Sequence, residues 1–238
     1  MRYLFQGDSI TDAGRGDYEN PGDMGCGYPR LLEAELTFED KSAQVLNCGI
    51  SGNRVVDLLA RWRKDALNLK PDVLTILIGV NDVWHEFGGH NGVREELFEK
   101  VYRLLLEETL RALPDVKIIL MGAYVIHGPS TDGDWEVFDS EVRARREVTR
   151  RLAEEFHLGF VDLQKAFDDA CQKALAAHWS GDGVHPTAAG HMLIARTWRE
   201  TAGKMGLTGL RRPGKKAAGR TELWAWGGRL TVTGQEGK

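Results

Sequence analysis

A chain of 238 residues with a formal net charge of −4 suits one domain, or one domain with a short appendage. That charge gives no electrostatic reason to expect nucleic acid or an anionic membrane as partner. The hydrophobic fraction of 42% and charged fraction of 28% are those of a globular protein, and no apolar run approaches the length of a membrane span.

In chain order, the first strand is expected at residues 2–6, ending in Gly7-Asp8-Ser9-Ile10-Thr11. The opening apolar stretch is too short for the core of a secretory leader. Three cysteines, Cys26, Cys48 and Cys171, form no CxxC pair and fit a reducing compartment, so a cytoplasmic location is expected. A helix at 28–36 leads to a second strand at 44–47 and then to Gly49-Ile50-Ser51-Gly52-Asn53. A helix at 55–67 precedes a third strand at 73–78, which ends in Gly79-Val80-Asn81-Asp82. A long helix at 93–113, with Leu97, Val101, Leu104, Leu105 and Leu110 at helical spacing, leads to a fourth strand at 117–121.

Residues 122–136, with His127, Gly128, Pro129, Gly133 and Trp135, read as a loop shaping a cleft. A charged helix at 137–156 and a fifth strand at 159–162 follow. Next come Asp182-Gly183-Val184-His185-Pro186 and a last helix at 187–205. Nearly continuous apolar strands alternating with helices predict an α/β fold on a parallel sheet, with right-handed crossovers. Ligands of such sheets sit at the carboxyl ends of the strands, where the first three glycine-bearing patches fall. The domain is expected to span 1–206. Residues 207–238 read as an extension whose stretch 222–233 suits a hairpin, and an added strand pair, a dimer contact and a disordered extension all remain open for it.

The patches carry complementary chemistry. A serine hydroxyl is a weak nucleophile until a base takes its proton, and Ser9 follows a strand where the chain must turn. Seen alone, Ser9 reads more readily as a helix cap. Asp182 and His185, three residues apart on a turn, supply an imidazole base and the carboxylate that orients it; alone they suit a capped loop. An asparagine amide at Asn81 and the N–H of Gly52 can hold a developing oxyanion, although each is an ordinary turn residue by itself. Four independent pieces of one mechanism are an improbable accident.

At these residues the chain resembles the GDSL-type serine hydrolases of the SGNH superfamily. Ser9 falls in a GDSIT block, Gly52 in ISGN, Asn81 in GVND, and Asp182 with His185 in D-x-x-HP. The resemblance implies a flavodoxin-like α/β/α sandwich on a five-stranded parallel sheet. It also implies a Ser9–His185–Asp182 triad and an oxyanion hole of Ser9 N–H, Gly52 N–H and the Asn81 amide, with no metal or organic cofactor. The stretches GDSITDAGR, ISGNRVVDLLARW, IGVNDVWHEF and VHPTAAGHMLIAR are similar to bacterial intracellular acetylxylan esterases, which form higher oligomers. That implies acetylated xylo-oligosaccharides as substrates and a homo-oligomer, with no nucleic acid or membrane partner. Trp84 and Trp179 are expected at the substrate as walls or sugar platforms, or else as packing; Asp8 and Arg54 are also expected to contact substrate. A lipid or thioester acyl hydrolase and a non-catalytic carbohydrate-binding protein are the alternatives.

Overall fold

A computed structural model describes residues 1–208; the expected hairpin at 222–233 lies outside the described residues. Five strands form one parallel sheet: β1 (Arg2–Gly7), β2 (Gln44–Gly49), β3 (Val73–Leu77), β4 (Lys117–Met121) and β5 (Gly159–Val161), in the order β2-β1-β3-β4-β5. In register, Phe5 lies opposite Asn47 on one side and Thr75 on the other. The helices are α1 (Ser9–Asp12), α2 (Tyr28–Glu39), α3 (Val55–Asp65), α4 (Val80–Gly89), α5 (Glu95–Ala112), α6 (Trp135–Glu155), α7 (Leu163–Cys171), α8 (Ala176–Trp179) and α9 (Ala188–Lys204).

Alternate residues of each strand feed two cores because both faces are covered. Tyr3, Phe5 and Met121 pack with Tyr28, Leu32, Phe167 and Trp198 from α2, α7 and α9. Leu4, Leu74, Ile76 and Leu120 pack with Leu58, Trp62, Tyr102 and Leu152 from α3, α5 and α6 on the other face. The chain runs outward from β1 to β2, then returns past β1 to β3. Right-handed crossovers therefore put α2 and α3 on opposite faces, and a crevice opens between β1 and β3 at their carboxyl ends. Polar anchors fix both layers: the Trp198 indole N–H donates to Thr75 Oγ1 at 2.9 Å and that of Trp62 to Thr109 Oγ1 at 2.9 Å.

Several expectations need correction. Residues 80–89 and 163–171, assigned no element from the sequence, form α4 and α7. Leu97 and Leu104, placed on the buried stripe of α5, are 44% and 40% exposed. Val101 and Leu105 do lie on it, together with Phe98, Tyr102, Leu106 and Thr109. The loop at 122–136 persists, broken only by a single 3-10 turn at Asp132–Asp134 before α6 starts at Trp135. Beyond α9, Leu207 is buried, and its carbonyl accepts from the Tyr3 hydroxyl at 2.7 Å.

Candidate active site

Ser9 is the first residue of α1, the four-residue helix that follows β1 directly. Glycine is required just before it. A Cβ on Gly7 would lie 2.3 Å from Thr11 Oγ1 and 2.4 Å from the Leu77 carbonyl oxygen. His185 approaches from the turn between α8 and α9, and its Nε2 lies 2.8 Å from Ser9 Oγ. On the far side of the ring, His185 Nδ1 lies 2.7 Å from Asp182 Oδ2. A carboxylate only accepts, so Nδ1 carries the ring proton and Nε2 is left to accept from the serine hydroxyl.

The turn holding the acid and the base is itself tightly specified. Asp182 Oδ1 accepts from the backbone N–H of Val184 at 2.9 Å and of His185 at 2.7 Å. Burial pushes the Asp182 carboxyl up, but the His185 ring and these two N–H groups outweigh it and hold the group below the usual carboxylate range. Gly183 has φ +100°, and a Cβ there would meet Thr131 Oγ1 at 2.5 Å and the Ile126 carbonyl at 2.6 Å. Ser180, not anticipated from the sequence, donates to the His185 carbonyl at 2.8 Å and accepts from Gly183 N–H at 2.9 Å.

The expected oxyanion donors come from the other two strand ends. Gly52 has φ +80° in a turn closed by Asn53 N–H to the Ile50 carbonyl at 3.1 Å. Asn81 stands in the first turn of α4, where the helix's positive end adds to its amide. One Asn81 Nδ2 hydrogen goes to the Asn53 carbonyl at 3.2 Å, which orients the amide and leaves the second hydrogen free of that bond. Thus the residues expected as nucleophile, base, acid and oxyanion donors are set by the ends of β1, β2 and β3 and by the turn before α9.

The expected substrate contacts divide. Trp84 faces His185, with ring centroids 5.7 Å apart, and is braced by Phe138 at 5.9 Å. Trp179 instead turns its indole N–H to the Ala170 carbonyl at 3.1 Å and lines a groove beside α7 and α9, so it packs there. Asp8 is 1% exposed and caps α1 by accepting from Ile10 N–H at 3.0 Å. Burial pushes its carboxyl up to about 7. It lies buried under Ser9. Arg54 is bonded to Asp57, at 2.9 and 3.1 Å, and to the Asn91 carbonyl at 2.6 Å, so it ties α3 to the loop after α4. The sequence reading gave no role to Asp12, Arg15 or Tyr18, though the structure groups them behind the Gly52 turn.

Comparison with known proteins agrees with this architecture. Residues 5–193 match the GDSL-like Lipase/Acylhydrolase family. The acetylxylan esterase of Geobacillus stearothermophilus is 39% identical over 212 residues, covering 85% of this chain and 94% of that protein. The crystal structure of Axe2, an acetylxylan esterase from the same organism, superposes with a TM-score of 0.76 at 35% identity, over 85% of this chain and 94% of that one. LAE5, an alpha/beta hydrolase enzyme from the metagenome of Lake Arreo, gives 0.76 at 34% identity over the same shares. The chain belongs to the GDSL-like lipase/acylhydrolase family and is a carboxylic ester hydrolase.

Proposed function

We propose that this family member is a serine carbohydrate esterase that removes acetyl groups from xylo-oligosaccharides or related acetylated sugars through an acetyl-enzyme. The observation that carries the reading is the continuous line from Ser9 Oγ through the His185 ring to Asp182 Oδ2, with contacts of 2.8 and 2.7 Å. The acetyl-sugar choice draws support from the acetylxylan esterase relative and from Trp84 narrowing the space beside the base.

In the proposed reaction Ser9 Oγ attacks the acetyl carbonyl carbon as its proton passes to His185 Nε2. Asp182 steadies the imidazolium that results. Negative charge moves to the former carbonyl oxygen, held by the N–H groups of Ser9 and Gly52 and the Asn81 amide, each donor worth a few kcal/mol. The tetrahedral intermediate collapses, the C–O bond to the sugar breaks, and the departing alkoxide takes the proton from His185. Water then attacks acetyl-Ser9, giving a proton to His185, which returns it to Ser9 Oγ as acetate leaves.

A cytoplasmic homo-oligomer completes the proposal. Among the described residues no helix is long and apolar enough to cross a membrane, and Phe38 stands 92% exposed on α2. Light scattering of the intact protein tests the assembly. The chemistry is tested by labelling with an organophosphate, by Ser9→Ala turnover, and by a panel of acetylated xylo-oligosaccharides against pectic, chitin-derived and lipid esters. Ser9 should be the labelled residue and acetylated xylo-oligosaccharides the best substrates. An unlabelled Ser9 refutes the mechanism, and a preference for octanoyl over acetyl esters refutes the substrate.

A further inference from the structure

We infer that Asp12 is a positioning residue for acyl transfer, clamping the Gly52 turn to the helix that carries the nucleophile. The inference rests on the acyl-transfer reading above. Ser9 and Asp12 are the first and last residues of α1, so any group held by Asp12 is held in fixed relation to Ser9. The Asp12 side chain is buried, with 1% exposure for the residue. Its Oδ2 accepts from the Ser51 N–H at 2.9 Å, the Ser51 hydroxyl at 2.5 Å and the Tyr18 hydroxyl at 2.9 Å. Its Oδ1 accepts from the Arg15 N–H at 2.9 Å. Two of these four donors belong to Ser51, the residue immediately before Gly52.

The surrounding bonds show what the carboxylate adds. Below the turn, β2 is tied to the nucleophile loop by Asn47 Nδ2 to the Thr11 carbonyl at 2.8 Å and by Arg15 Nη1 to the Gly49 carbonyl at 2.8 Å. Beyond it, Asn53 is tied to Asn81, and the Val55 N–H to Asp82. Asp12 grips the stretch between these two anchors. A carboxylate suits the task because it accepts at four lone-pair sites and donates at none. Asparagine at this position would set an NH2 group against one or more of the same four donors. An oxyanion donor must be held to a few tenths of an ångström, so a released turn loses transition-state stabilisation before it loses substrate binding.

The test measures turnover per reactive serine. Wild type, Asp12→Asn, Ser51→Ala and Ser51→Thr are titrated with diethyl p-nitrophenyl phosphate, and p-nitrophenyl acetate turnover is divided by the titrated sites. Asp12→Asn should lower kcat per site by about 10- to 100-fold with KM changed less than about threefold, a loss within that of one oxyanion donor. Ser51→Ala should lose about 3- to 10-fold, the worth of one net hydrogen bond, and Ser51→Thr, which keeps the hydroxyl, should return to within about twofold of wild type. A kcat per site within twofold of wild type in both Asp12→Asn and Ser51→Ala, while Asn81→Ala loses about 100-fold, overturns the clamp and leaves the acyl-transfer reading intact. Losses confined to the titratable fraction also overturn it, because they mean folding rather than positioning. If Asp12→Asn does not fold, Ser51→Ala against Ser51→Thr decides. Wild-type turnover that survives Ser9→Ala removes the acyl-transfer reading, and this inference with it.

Discussion

Replacing Asp182 by asparagine tests the proton arrangement of the site with almost no change of shape. The new side chain can keep its oxygen at the Oδ1 position, where it still accepts from Val184 and His185 N–H at 2.9 and 2.7 Å. The NH2 group then sits where Oδ2 was, 2.7 Å from His185 Nδ1, and offers a hydrogen to a nitrogen that itself carries one. The opposite amide orientation restores an acceptor for Nδ1 but points NH2 at two backbone N–H groups, leaving several donors without acceptors at about 1–3 kcal/mol each. The first orientation should prevail, and the ring proton then moves to Nε2. His185 would donate to Ser9 instead of accepting from it. The expected loss in kcat is about 10⁴-fold, the size known for this exchange in serine proteases, or ~5.4 kcal/mol at 1.36 kcal/mol per decade. Steady-state hydrolysis of p-nitrophenyl acetate, with Ser9→Ala as the floor, measures it, and the thermal midpoint should stay close to wild type. A loss below tenfold in a folded Asp182→Asn protein would refute the assigned tautomer and the role of the carboxylate.

Three other outcomes follow from the same geometry. Gly52→Ala has open space, the nearest atom being His85 Cε1 at 4.0 Å, so its cost is the positive φ of +80°, about 1–2 kcal/mol of stability in a melt, with a larger fractional loss in kcat if the turn shifts. Burial pushes the Asp82 carboxyl up to about 7, so the folded state holds a proton that the unfolded chain releases near pH 4. Wild type should therefore lose stability as pH rises from about 4 to 7, by at most ~4 kcal/mol at 1.36 kcal/mol per pH unit. Asp82→Asn should gain relative to wild type across that range, and a difference in melting temperature that does not vary with pH contradicts the assignment. Trp84→Ala removes the wall beside His185, so the kcat/KM ratio of butanoyl to acetyl p-nitrophenyl esters should rise at least about tenfold, the worth of one or two methylenes in a pocket; an unchanged ratio puts the acyl group elsewhere.

The sheet was legible because parallel strands buried on both faces need continuous apolar residues, and residues 2–6, 73–78 and 117–121 supply them. Strand order was less exposed, since nothing within β2 says that it pairs outside β1; that follows from the crossovers and from the chain's return past β1. α4 escaped notice because its sequence, VNDVWHEFGG, opens with turn-forming Asn81 and Asp82 and closes on two glycines. Its stability is tertiary: Asp82 and Val83 are buried, and Asp82 caps α3 by accepting from Val55 N–H at 3.0 Å. In α5, counting every apolar residue at helical spacing drew in Leu97 and Leu104. The buried face is chosen by Phe98 and Tyr102, 5.5 Å apart, which pack as an aromatic pair.

At the site, residues whose chemistry is demanding were easier to read than residues that only hold them. A nucleophile, a base with its acid, and amide donors are few in kind, and glycine-bearing turns at strand ends narrow their positions. Asp8, Arg54 and Trp179 share one difficulty: a polar or aromatic residue beside a reactive one looks like a substrate contact until its own partners are counted. Asp8 Oδ1 is taken by Ile10 N–H, three Arg54 donors by Asp57 and the Asn91 carbonyl, and the Trp179 indole N–H by the Ala170 carbonyl. The longest of these bonds joins residues 37 apart, Arg54 and Asn91, and local patterning cannot announce it. Asp12 is the converse case. It lies three residues from Ser9 in the same short stretch, yet the bond that gives it meaning reaches 39 residues along the chain to Ser51. A residue's chemistry can be proposed from its neighbours in sequence, but its availability is set by whichever distant group meets it first in the fold.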